Sequence, residues 1–145
     1  MRKKPKRPAR QWVWTGGSLK GKIPEMAKRQ LIARLQAHVA KHWGTSCREV
    51  VVRFRGGFAY VDALLTEEAV RGEFRPRDRS EFQRLMALPT HLCRLGYVGS
   101  AQRWSFAFYK YSDEKYELCY LPSGQMTGTP EECFDCAAGV YLRRG

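Results

Sequence analysis

Residues 49–64 read Glu-Val-Val-Val-Arg-Phe-Arg-Gly-Gly-Phe-Ala-Tyr-Val-Asp-Ala-Leu. β-Branched and aromatic residues alternate with arginines on either side of Gly56-Gly57, a two-residue turn that tolerates positive φ. The pattern predicts a β-hairpin pairing Arg55 with Phe58, Arg53 with Tyr60 and Val51 with Asp62. Val50, Val52, Phe54, Ala59, Val61 and Ala63 then share one face, the core side. Arg53, Arg55, Phe58, Tyr60 and Asp62 share the other.

Toward the N-terminus, Leu31, Leu35, Val39 and Trp43 recur at i, i+4 spacing and Ile32 widens the stripe, which predicts a helix over residues 24–43. Pro24 suits its first position, Lys41 and His42 complement the dipole of its last turn, and Gly44 is the expected cap. Arg34, Lys41 and His38 fall on the polar side, where solvation is expected. Lys28 falls inside the apolar stripe, where snorkelling would be needed.

Toward the C-terminus, residues 66–90 are irregular and arginine-rich, with a short helix capped by Asp78 or Ser80 and stopped by Pro89. A three-strand meander follows over residues 92–98, 102–111 and 115–121. Pairing Tyr111 with Tyr116 places Trp104, Phe106, Phe108, Cys119 and Leu121 on one face and Tyr109, Tyr111, Tyr116, Leu118 and Tyr120 on the other. Four tyrosines are a large apolar area to leave exposed, so a helix is expected to pack there. Thr129-Pro130-Glu131-Glu132 is a capping box that starts a helix running to about residue 138. The expected fold is α+β: an antiparallel sheet of about five strands, hairpin plus meander, with one long N-terminal helix and one short C-terminal helix.

Bulk charge sets the class of partner. Of a formal net charge of +12, eight cations fall in residues 1–22, which contain no acid, leaving +4 for the rest. Residues 1–22 read as a flexible basic arm and linker, with Trp12 and Trp14 anchoring the arm, and residues 23–145 as one α+β domain. Long-range attraction concentrates polyanions near such a chain. No apolar run approaches the roughly 18 residues of a membrane span, and Trp12-Val13-Trp14 gives way to Thr15-Gly16-Gly17 with no secretory h-region. Five cysteines without an export signal suit reduced thiols in a cytoplasmic setting.

The candidate nucleic-acid-binding residues are Arg2, Lys3, Lys4, Lys6, Arg7 and Arg10 in the arm, and Arg53, Arg55, Phe58 and Tyr60 on the hairpin. Arm cations neutralise phosphates with release of counterions, or serve only as a solubilising tail. Guanidinium groups beside aromatic rings hold phosphates and stack bases at roughly 1–3 kcal/mol per base. The plainer alternatives are that the arginines cover cross-strand neighbours, worth about 0.2–1 kcal/mol per pair, or that a helix covers the face.

Cys133-Phe134-Asp135-Cys136 is a C-x-x-C that needs two more ligands, from Cys47, Cys93, Cys119 or His91, to hold structural zinc. Glu131, Glu132 and Asp135 would raise its thiols, against a redox role. Two small buried hydrophobes one turn apart is the favoured reading. His38, His42 and Cys47 form no legible base–nucleophile set. Asp62, Glu67 and Glu68 are the nearest acidic group for a metal-assisted nuclease. No catalytic residue, metal ligand or cofactor is assigned.

Arg10-Gln11-Trp12-Val13-Trp14, Arg103-Trp104-Ser105-Phe106-Ala107-Phe108-Tyr109-Lys110-Tyr111-Ser112 and Gly128-Thr129-Pro130-Glu131-Glu132 resemble segments of a family of small bacterial proteins with no known activity. The resemblance implies a bacterial cytosolic protein and carries no ligand or site residue. The leading expectation is non-catalytic, salt-dependent binding of DNA or RNA, alone or as an accessory subunit of a nucleoprotein, with no membrane partner. The alternatives are a protein-interaction module docking through the tyrosine face, and a small zinc protein or metal-assisted enzyme.

Overall fold

A computed structural model of the chain describes residues 22–142. Its elements run α1 (Glu25–His42), β1 (Cys47–Arg55), β2 (Phe58–Leu65), α2 (Glu67–Phe74), α3 (Arg79–Ala87), β3 (Thr90–Tyr97), β4 (Trp104–Lys110), β5 (Lys115–Leu118), β6 (Thr127–Gly128) and α4 (Pro130–Tyr141). The class is α+β, with an antiparallel sheet in the order β1-β2-β3-β4-β5 and β6 pairing with β4.

The hairpin forms in the register read from the sequence, with Arg55 opposite Phe58, Arg53 opposite Tyr60 and Val51 opposite Asp62. Gly56 takes φ +58°, the conformation the turn requires. Residues opposite each other point to the same face. Val52↔Val61↔Cys93↔Phe108 and Phe54↔Ala59↔Leu95↔Phe106 therefore line one face. α1 packs there on β1, and α4 on β3 and β4. Leu31, Leu35, Trp43, Leu95, Trp104, Phe106 and Phe134 are all buried in this layer. Burying each such side chain stabilises the fold by roughly 1.5–3 kcal/mol.

Both long helices lie on the Trp104/Phe106 face, which corrects the expectation that one packs on the tyrosines. Their apolar stripes, Leu31, Leu35 and Val39 on α1 and Phe134, Ala137 and Ala138 on α4, are buried there, and polar contacts join the two helices to each other. Arg34 donates Nε and Nη2 to the two carboxylate oxygens of Glu131 at 2.9 and 2.7 Å. His38 Nε2 lies 2.7 Å from Asp135 Oδ1, which also accepts from Trp43 Nε1 at 2.9 Å. Burial alone raises the Glu131 carboxyl. The Arg34 hydrogen bond, a backbone hydrogen bond and the charges of Arg34 and His38 outweigh it and hold Glu131 below its ordinary value. Arg34 and His38 are thus clamp residues between helices and not the solvated ones expected. Lys28 reaches over the Phe54 ring at 5.2 Å and pairs with Glu25 at 3.3 Å.

Other differences are local. Pro24 is the N-cap of α1 and Trp43 its C-cap, each one residue from the expected position. β5 pairs Tyr109 with Tyr116 and Lys110 with Lys115, two residues from the expected register. Tyr111 leaves the ladder because its hydroxyl accepts the His91 N–H at 2.7 Å, and Glu114 closes the turn at φ +54°. A slip of two residues preserves the faces. α2 was expected to be irregular. Thr66 caps it by accepting from the Ala69 N–H at 3.1 Å, but it buries only Val70, so no apolar stripe announces it. α4 runs three residues past the expected end, since Tyr141 stacks on Phe108 and donates its hydroxyl to the Tyr109 carbonyl at 2.6 Å.

Candidate nucleic-acid interface

The second face of the sheet carries Arg53↔Tyr60↔Arg94↔Ala107↔Leu118 in one cross-strand row and Arg55↔Phe58↔Gly96↔Ser105 in the next. Asp62 opposite His91, and Tyr109 opposite Tyr116, lie beside them. Arg53 and Arg55 are exposed, while Phe58, Tyr60, Arg94, Tyr109 and Tyr116 are half-buried. The structure therefore brings together the two surfaces that the sequence presented separately, the Arg/aromatic hairpin and the tyrosine strands. β3 joins them through Arg94.

The rings on this face lie down. Strands β2 and β5 are separated by β3 and β4, and at about 4.8 Å per step their backbones are roughly 14 Å apart. Yet the Tyr60 and Tyr116 centroids are only 5.3 Å apart. Both side chains must lean over the middle strands, where Gly96, Ser105 and Ala107 are small and buried. Arg94 shares this layer, with its guanidinium 4.3 Å from the Phe58 centroid and 5.9 Å from that of Tyr116. Its Nε is buried with no hydrogen-bond partner among the described residues. Arg53 sits 5.5 Å from the Tyr60 centroid.

Asp62 is the buried acid of this face, with its side chain only 3% exposed. It accepts from Arg53 Nη2 at 3.3 Å and lies 2.9 Å from His91 Nδ1. Burial, and then the Asp62 charge, push the Tyr116 hydroxyl up to about 12, with Arg53 opposing. The His91 ring lies 4.9 Å from Tyr109 and 6.2 Å from Tyr111. Three permanent cations, Arg53, Arg55 and Arg94, thus outnumber two carboxylates, the buried Asp62 and the exposed Glu49 at the far end of β1, and the surface is net positive. Arg53 is partly committed to Asp62 and Tyr60, as the cross-strand cover reading expects. Arg55 carries no such pairing among the described residues.

Among the residues named in advance, Arg53, Arg55, Phe58 and Tyr60 share this surface. Arg2, Lys3, Lys4, Lys6, Arg7 and Arg10, and the anchoring role of Trp12 and Trp14, lie outside the described residues. Arg94 was not singled out from sequence. Its signal was present, because it sits between Cys93 and Leu95 and alternation turns it away from the core.

The other chemical candidates do not assemble. Cys133 is fully buried and its thiol is pushed far up by burial, and further by the charge of Glu132. Burial also raises Cys93 and Cys136, and pushes Cys47 up to about 11. All four thiols are therefore held in the protonated form, which is a poor nucleophile. Asp62 is buried in the sheet, whereas Glu67 and Glu68 are exposed on the first turn of α2. Among the described residues no group of three or more His, Cys, Asp or Glu is arranged to hold a metal ion. None of the described helices is long and apolar enough to cross a membrane. Comparison with protein-family models, with curated proteins and with solved structures found no match to this chain.

Proposed function

We propose that the protein binds single-stranded nucleic acid without catalysis, using the sheet face opposite α1 and α4 as its platform and the cationic leader as a second contact. The observation that carries this reading is the joining of Arg53, Arg55 and Arg94 with Phe58, Tyr60 and Tyr116 on one surface away from both long helices. Aromatic faces stack unpaired bases and arginines neutralise the strand beside them, a combination indifferent to base identity. Recognition is accordingly of the polymer, with DNA and RNA both accommodated. The bacterial cytosol implied by the resemblance is the proposed setting, with the protein acting alone or within a nucleoprotein.

Fluorescence anisotropy with labelled single strands and duplexes tests the reading. Affinity for the single strand should exceed that for the duplex and fall steeply with salt, by roughly 0.7 log units per log unit of salt for each phosphate neutralised. Arg53→Ala with Arg55→Ala should weaken binding at unchanged melting temperature, and deletion of residues 1–22 should flatten the salt dependence. Binding indifferent to salt and to both changes would sink the proposal. A second reading, a protein partner docked on the same face, is favoured by the exposure of Tyr111, Leu118 and Tyr120 beside it. A partner retained after nuclease treatment and high salt would select it.

A further inference from the structure

We propose that β1 is the pairing edge of a symmetric dimer, joined antiparallel to the β1 of a second copy of this chain. β1 ends the sheet, with β2 on one side and no strand on the other among the described residues. It is nine residues long, against a usual five or six. A two-residue turn closes on a hydrogen-bonded pair, so Arg55, Arg53, Val51 and Glu49 turn their backbone groups toward β2. Val50, Val52 and Phe54 therefore turn theirs outward, away from β2.

Proteins usually guard such an edge with charge. Here the charges on one face of β1, Glu49, Arg53 and Arg55, complement their own reversed order. For both copies to keep their helices on the same side of a continuous sheet, the two-fold axis must be perpendicular to the sheet, and opposed residues must then belong to the same face. Centred on Val51, this register sets Glu49 opposite Arg53 of the second copy, twice. Centred on Val52, it sets Glu49 opposite Arg55 of the second copy, twice. Either register pairs valine with valine across the axis. Glu49 is exposed and has no ion-pair partner among the described residues, and an arginine of the second copy would neutralise it.

A groove of about 350 Å³ runs between this edge and α1, lined by Gln36, Val39, Ala40, Cys47 and Val50 among others. Both registers carry Phe54 of the second copy, only half-buried in its own subunit, opposite Arg48 or Val50 at this groove. The flank of α1 above it presents Ile32, Gln36 and Ala40, and Lys28, one turn before Ile32, lies over the Phe54 ring. Pairing would place the two Arg/aromatic faces side by side on one surface. The dimer does not depend on those faces binding nucleic acid.

Sedimentation velocity of the full chain after nuclease treatment, over a concentration series, tests the proposal. The expected mass is that of two chains. Glu49→Arg sets like charges opposite Arg53 or Arg55 and should raise the dimer dissociation constant by about tenfold or more. Val52→Pro removes an outward N–H and should do the same while the β1–β2 ladder persists. Glu49→Arg combined with Arg53→Glu and Arg55→Glu should restore the dimer. A single-chain mass at every concentration overturns the proposal, as does a dimer that Glu49→Arg leaves intact. Glu49 is exposed, so that variant decides the question even where Val52→Pro fails to fold.

Discussion

The two faces of the sheet use aromatic residues in opposite ways. On one, Trp104, Phe106 and Phe134 are fully buried between the strands and two helices, and their worth is the water they exclude. On the other, Phe58, Tyr60, Tyr109 and Tyr116 lie across Gly96, Ser105 and Ala107 and keep one side to solvent, with arginines laid against them. Ring count therefore says little about which face is core. What distinguishes them is whether a helix stripe is available to cover the rings, and both stripes are taken by the first face. The Arg34–Glu131 and His38–Asp135 contacts keep the helices side by side there.

The contrast breaks most visibly at Phe134. Phe134→Ala should cost about 3–5 kcal/mol in denaturant unfolding, because it empties a site with no exposure. The affinity of the molecules that remain folded should be unchanged. Asp62→Ala works on the second face: it strips Arg53 and His91 of their buried partner and should cost about 1–3 kcal/mol. It should also tighten nucleic-acid binding, since Arg53 is released and the face gains positive charge. A loss of binding there would mean that Asp62 positions Arg53 for the ligand. Tyr60→Ala separates the faces from the other side. It should remove about 1–3 kcal/mol of binding, the worth of one stacked base, with a smaller change in melting temperature.

The smallest expected effect concerns the polar clamp between the two helices. Both side chains are about one-third exposed, so Arg34→Ala should cost only about 0.5–1 kcal/mol at neutral pH. Its pH dependence is sharper. Glu131 is held below its ordinary value of 4.5 in the folded protein. Its contribution is therefore complete above that value and is lost as pH falls through the lower, folded pKa. Acid titration of stability should show this loss in the native chain and a smaller one in Arg34→Ala, where only the backbone hydrogen bond and His38 still lower Glu131.

Where local chemistry sufficed, the sequence was legible. Gly56-Gly57 and the alternation around it specify the hairpin register, and Thr129 with Glu132 specifies the start of α4 through two reciprocal hydrogen bonds at 2.9 and 3.2 Å. Asp78 caps α3 as one of the two residues proposed, accepting from Glu81 N–H at 2.9 Å. α2 escaped because a helix burying one residue has no periodicity to read. The β4–β5 register escaped because a contact between Tyr111 and His91, twenty residues apart, decides it. Arg53, Arg55, Phe58 and Tyr60 were legible as one face of a hairpin, while Arg94 and Tyr116 joined them only through the sheet order.

The sequence by itself determined the α+β composition, the hairpin and its two faces, and the concentration of positive charge, because each follows from neighbours within a few residues or from simple counting. The tertiary structure alone decided which face the helices cover, that the hairpin and tyrosine surfaces are one, and that His38 and Arg34 hold helices together. Those outcomes depend on side chains dozens of residues apart meeting across strands and between helices, and no local spacing encodes which partner each will find.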